Sequence, residues 1–166
     1  MPKRLRYFLE RDADPQRAAL QLLLRAVASC LRAHSPGASA AARLGAVAFI
    51  HRFGSTPNAH LHFHYAAIDS VFDSAAGGVV FHADSGLDAT TITQVQAQVR
   101  RRLLRVFVRR RLLPGDDAQA MGQWEHGGGF SVDASVRIAT ADRAGRERLL
   151  RYSRPATIRL GPAPRT

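Results

Sequence analysis

Between Asn58 and Phe72 the chain reads NAHLHFHYAAIDSVF, with histidines at every second position, His60, His62 and His64, in an otherwise apolar run. On a β-strand, residues two apart point to the same face about 6.6 Å apart along the chain, so two such imidazoles can close on one metal ion. Leu61, Phe63 and Tyr65 then take the opposite face and supply core, which anchors the strand and holds the imidazoles in place. A His-x-His pair alone is a weak signal, and solvated or hydrogen-bonded histidines are the ordinary alternative. Two ligands also leave a site incomplete. His60 is an accessory candidate, and the segment GQWEHGGGF offers Gln123, Glu125 and His126. Each of these three, taken alone, reads more simply as a loop side chain, and the glycines at 127–129 as a flexible turn.

A second group is cationic. Arg100, Arg101, Arg102, Arg105, Arg109, Arg110 and Arg111 fall within twelve residues of an apolar-periodic segment. A solvated basic face on an ordinary core helix would look the same. Seven like charges repel one another unless a polyanion is near, so the cluster reads as phosphate-contacting. The tyrosines number three. A phenol near its usual pKa of about 10 is a poor nucleophile unless cations or a base stabilise its oxyanion. Tyr65 has the wrong parity to share the histidine face, and Tyr7 belongs to the amphipathic opening. Tyr152 ends RERLLRY, with Arg148 one helical turn behind it and Arg151 and Arg154 close by.

These residues must be held by a scaffold. PKRLRYFLERD opens with an amphipathic turn or two; Asp14 then caps a helix whose first turn begins with Pro15 and whose Leu20, Leu23, Leu24, Val27 and Leu31 recur at helical spacing until HSPGAS. Residues 44–52 and the histidine run read as strands joined by the turn-like FGSTPN, pairing antiparallel. A third strand is expected around Val79 to Phe81 and a fourth from Gly129 to Ile138. Between them Ile92, Val95, Val99, Leu103 and Val106 mark a long helix ended by Pro114 and Gly115, and Asp142 can cap a last helix, RAGRERLLRY. The fold class is α+β, with helices packed on an antiparallel sheet of about four to five strands.

Bulk properties limit the partners. The 166 residues suit about one domain with its own core. Lys plus Arg total 24 against 13 Asp plus Glu, a net charge of +11, and such a field draws polyanions. No run approaches the roughly 18 apolar residues of a membrane span, and the N-terminus lacks a signal-peptide core, so nucleic acid in the cytoplasm is the expected partner rather than a membrane. Cys30 is the single cysteine, which excludes an internal disulfide or a cysteine-built zinc finger. It lies on the apolar stripe of a helix and reads as a structural thiol.

Taken together, GAVAFIHRFGS, HLHFH, IDSVF, GGGFSVDASVRI, ADRAGRERLLRY and the opening PKRLRYFL resemble the rolling-circle insertion-sequence transposases of the HUH (His-hydrophobic-His) endonuclease superfamily. The likeness covers residues 1 to about 155. It implies an HUH-endonuclease-like fold, His62, Phe63 and His64 as the HUH motif, and Mg²⁺ or Mn²⁺ as the cofactor. It also implies a tyrosine that attacks single-stranded DNA to leave a 5′-phosphotyrosine and a free 3′-hydroxyl. Many such enzymes carry Tyr-x-x-x-Tyr. Here Tyr152 matches the second position and Arg148 stands at the first, which resembles the one-tyrosine branch. Residues 1–155 are then the catalytic domain, with Arg148 and Arg151 added to the DNA-contacting set. ATIRLGPAPRT departs from the pattern, so 156–166 reads as a divergent tail on a truncated, weakly active copy.

Two rival classes remain at this level. One is a DNA-binding remnant without chemistry. The other is a barrel-type metalloenzyme that also uses His-x-His; it needs many strands where this chain has long helices, and its substrates give no reason for the basic charge.

Overall fold

The structure, a computed structural model, describes the backbone of residues 1–53 and 59–153; the side chains of residues 52, 53, 59, 60, 152 and 153 lie outside the described set. In chain order the elements are α1 (Lys3–Arg11), α2 (Ala13–His34), β1 (Arg43–Phe53), β2 (Ala59–Ala75), β3 (Gly78–Ala83), α3 (Ala89–Arg109), α4 (Gly115–Gln123), a 3₁₀ turn (His126–Gly129) and α5 (Arg143–Ser153). They group into two compact units, Met1–Val136 and Arg137–Thr166.

The first unit is α+β. Among the described residues its sheet has three strands in the order β1-β2-β3, antiparallel throughout, with the histidine strand in the centre. Leu5 and Leu9 of α1, Ala19 of α2, Leu61 of β2, and Leu103, Leu104 and Phe107 of α3 form one buried cluster. The helices therefore cover the Leu61 face of the sheet. Phe107 is fully buried, and Phe107→Ala should cost about 3–5 kcal/mol by removing burial and leaving a cavity. A denaturant midpoint that barely moves would show that the core does not depend on this ring.

Local chemistry explains the helix ends, and here two expectations are corrected. Asp12, not Asp14, caps α2, accepting a hydrogen bond from the Asp14 backbone N–H at 2.9 Å. Asp14 and Pro15 then fall in the first turn, where negative charge suits the helix dipole and the missing proline N–H has no helical partner to lose. The long helix α3 begins at an Asp88 cap on Thr91 and stops at Arg109, before Pro114. Arg111 takes a left-handed φ of 58° and the Leu112 N–H returns to the Phe107 carbonyl, a capping turn that sends Leu113 back into the core. Pro114 in turn precedes α4, a helix that the sequence pattern did not suggest.

The expected fourth strand is not seen: residues 130–139 have no ladder partner among the described residues. Two of their N–H groups go to side chains instead of a neighbouring strand. Val132 donates to the Gln96 side chain of α3 and Ser135 donates to Asp133, each at 2.9 Å. A short aspartate that captures the N–H two residues on curls the chain away from a strand.

In the second unit α5 starts where Asp142 accepts from the Gly145 N–H at 2.8 Å, as the sequence predicts, and an Arg143–Glu147 pair spans its first turn.

Candidate metal centre

Strand register builds the site. β1 and β2 pair so that His51 lies opposite His62, Ile50 opposite Phe63 and Phe49 opposite His64. Cross-strand partners share a face, and so do residues two apart. His51, His62 and His64 consequently meet on the face opposite Leu61 and Phe63, both of which contact the core. Their ring centroids are 5.3 Å (His51–His62), 4.4 Å (His51–His64) and 4.8 Å (His62–His64) apart. One nitrogen from each ring lies within 4.8 Å of the other two.

Three imidazoles on one small divalent ion sit with nitrogens roughly 3.4 Å apart when each bond is about 2.1 Å and the geometry tetrahedral. Small rotations of half-buried rings close the difference, so the donor set fits a metal ion. His64 has its pKa held below the ordinary 6.5, first by burial and then by the neighbouring His51 and His62. At neutral pH it is therefore uncharged, with a lone pair to offer.

His51 is the residue that sequence reasoning missed. The signal was present, since any antiparallel hairpin closed by FGSTPN brings residue 51 beside the histidine run. Register alone decides which face it takes, and register is not legible from the two strands separately.

The other ligand candidates lie elsewhere. His60 is on β2, with its side chain outside the described residues. Gln123, Glu125 and His126 are exposed, and neither Glu125 nor His126 belongs to a metal-capable group among the described residues. The glycines after them are shaped rather than loose: at Gly128, φ +59°, a Cβ would sit 2.7 Å from the Arg100 guanidinium.

That arginine is occupied. Arg100 donates to the Met121 carbonyl and, at 2.9 Å, to the Trp124 carbonyl, closing the C-terminal end of α4. Arg101, Arg105 and Arg109 instead form an exposed row at four-residue spacing, whereas Arg102 is half-buried. Arg110 caps α3 and Arg111 lies beyond it, both exposed. Since α3 belongs to the layer on the Leu61 face, the row and the histidines are on opposite sides of the sheet. Neutralising Arg101, Arg105 and Arg109 is expected to lower the slope of log affinity against log salt by roughly 2 units, at about 0.7 per phosphate contact on single strands. An unchanged slope would remove the helix from the DNA interface.

Of the tyrosines, Tyr65 faces away from the histidines, and burial pushes its phenol up to about 12. Tyr7 lies on α1 beneath the Arg11 guanidinium, 4.0 Å from the ring centre. Tyr152 lies in the last turn of α5, with its side chain outside the described residues; Arg148 and Arg151 on the same helix are exposed. Cys30 is half-buried with its thiol pKa raised chiefly by burial, the setting of a structural thiol rather than a nucleophile.

Residues 45–160 match the family model Y2_Tnp, described as "Putative transposase", over more than half of the chain. The chain belongs to this transposase family. In this transposase-family chain the matched stretch takes in His51, His62, His64 and Tyr152, together with the arginines of α3 and α5. No curated protein and no solved structure matches it. No described helix is long and apolar enough to cross a membrane.

Proposed function

We propose that the chain is a transposase of the HUH type, one-tyrosine branch, that nicks and joins single-stranded DNA in the cytoplasm. The observation that carries this reading is the convergence of His51, His62 and His64 on the open face of the central strand. Residues 1–155 form its catalytic domain and 156–166 a divergent tail.

His51, His62 and His64 hold a divalent ion, which when bound supplies Lewis acidity to a phosphodiester oxygen. An all-imidazole set suits Mn²⁺ better than Mg²⁺, which prefers oxygen ligands and keeps its waters. The Tyr152 oxygen attacks phosphorus and gives up its proton to solvent or a nearby base. The bond from phosphorus to the 3′ oxygen breaks, so the 5′ phosphate stays on the tyrosine and the 3′-hydroxyl leaves with a proton. Joining is the reverse attack by a 3′-hydroxyl. Arg148 and Arg151 favour the phenolate and offset charge on the crowded phosphate.

Incubating the full chain with an end-labelled single strand and Mn²⁺ should yield a protein-DNA adduct that survives denaturing gels and does not form in EDTA. Single-strand binding without an adduct in Mn²⁺, Mg²⁺ or Zn²⁺ would instead favour the alternative, a DNA-binding relative that has lost its chemistry.

A further inference from the structure

The face that carries the three histidines extends well beyond them. Ala66 pairs with Val47, and the alternation continues to Ile68. Past the irregularity opposite Gly45, a Cβ built on Gly45 would meet both Ile68 and Phe72, which puts those two side chains on one side. Phe72 pairs with Phe81 of β3, and their rings make an edge contact with centroids 5.3 Å apart. From His64 to Phe72 is about 25 Å along the strand, several nucleotides of extended chain.

This surface is largely apolar, and its outer side chains are exposed, with Ser70 buried between Ile68 and Phe72. Val47 is 52% exposed, Ile68 50%, Phe81 55% and Val79 69%. A patch of that kind on a soluble unit marks an interaction site. Its charge indicates the partner. β1 and β3 contain no acidic residue, while Asp69 and Asp73 of β2 take the odd positions, with Asp73 accepting from Ser39 on the helix side. The histidine face thus combines aromatic and aliphatic groups with Arg43 at the Phe72 end and imidazoles at the other, and no carboxylate. A docking helix or second protein surface gains nothing from that lack of acid. A polyanion with free π-faces does.

We propose that this face is a stacking platform for the bases of single-stranded DNA, which runs along β2 from Phe72 and Phe81 toward the histidine site. Base-aromatic stacking tolerates any sequence because every base has a π-face. A duplex keeps its base faces stacked internally and cannot use the platform. The inference rests on the reading that the histidine site acts on single strands, and it adds where the strand lies.

The test measures binding of a fluorescent mixed-sequence oligonucleotide, single-stranded or annealed, to the full chain in EDTA. Phe81→Ala should weaken single-strand binding on the order of tenfold and leave duplex binding unchanged. Phe81→Trp should restore it, Val79→Ser should lower it less, and bromodeoxyuridine strands should photocrosslink to Phe81 or Phe72. Melting by circular dichroism shows that each variant is folded. Unchanged single-strand affinity in folded Phe81→Ala, with crosslinks mapping elsewhere, overturns the platform even if Mn²⁺-dependent adducts still form. Binding through Phe81 with no adduct under any metal supports the platform and removes the nicking chemistry instead. A dimer that Phe81→Ala splits would make a second copy the occupant and overturn the proposal.

Discussion

Removing the His51 imidazole is expected to abolish Mn²⁺ binding while leaving the protein folded. His51→Ala deletes one of three nitrogens that lie within 4.8 Å of one another. Loss of an outer-shell partner already costs about 10–100-fold in metal affinity, so loss of a ligand should cost on the order of a hundredfold or more. His51 is half-buried on the side of the sheet away from the Leu61 cluster, so the melting transition should hardly move. Paramagnetic resonance of added Mn²⁺ reads the free ion directly. Glu125→Ala and His126→Ala, both at exposed positions, should bind as the parent does. The opposite pattern, with His51→Ala normal and His126→Ala defective, would relocate the metal to the α4 loop.

The second large effect concerns the proposed nucleophile. Tyr152→Phe keeps the ring and removes the phenolic oxygen, so single-strand binding should persist while the covalent adduct disappears completely. Neither other tyrosine is suited to substitute. Tyr65 would have to ionise from about 12 on the wrong side of the sheet, and Tyr7 stacks on Arg11 in the helical layer. Peptide mapping of the parent adduct should place the DNA on the fragment containing residue 152. An adduct that survives in Tyr152→Phe would assign the attack to another residue. Because Arg148 is proposed to favour the phenolate and to offset charge on the crowded phosphate, Arg148→Ala should slow adduct formation more than it weakens binding.

Much of this organisation was legible because it is local. Alternating His62, Phe63 and His64 fix which side of β2 is core, and helical periodicity locates α2 and α3. Features that depend on a distant partner were not. His51 joins the site through strand register, and α3 ends at Arg109 because Leu113 finds the core cluster, which no local breaker announces. Gly129 to Ile138 has the composition of a strand, yet Gln96 and Asp133 take two of its N–H groups. Arg100 reads in sequence as one of seven equivalent cations, whereas its guanidinium holds two carbonyls at the end of α4.

The parity of β2 has an evolutionary consequence. Odd positions such as Leu61 and Phe63 answer to folding, and even positions such as His62 and His64 face outward with no part in the core. Drift can therefore erase the proposed chemistry one outward residue at a time and leave a stable, well-folded descendant. A single-residue deletion between His60 and Phe63 would act otherwise, exchanging the two faces in one event and placing imidazoles where leucine and phenylalanine belong. Lineages of this domain should tolerate substitutions at the histidines far more often than insertions or deletions beside them.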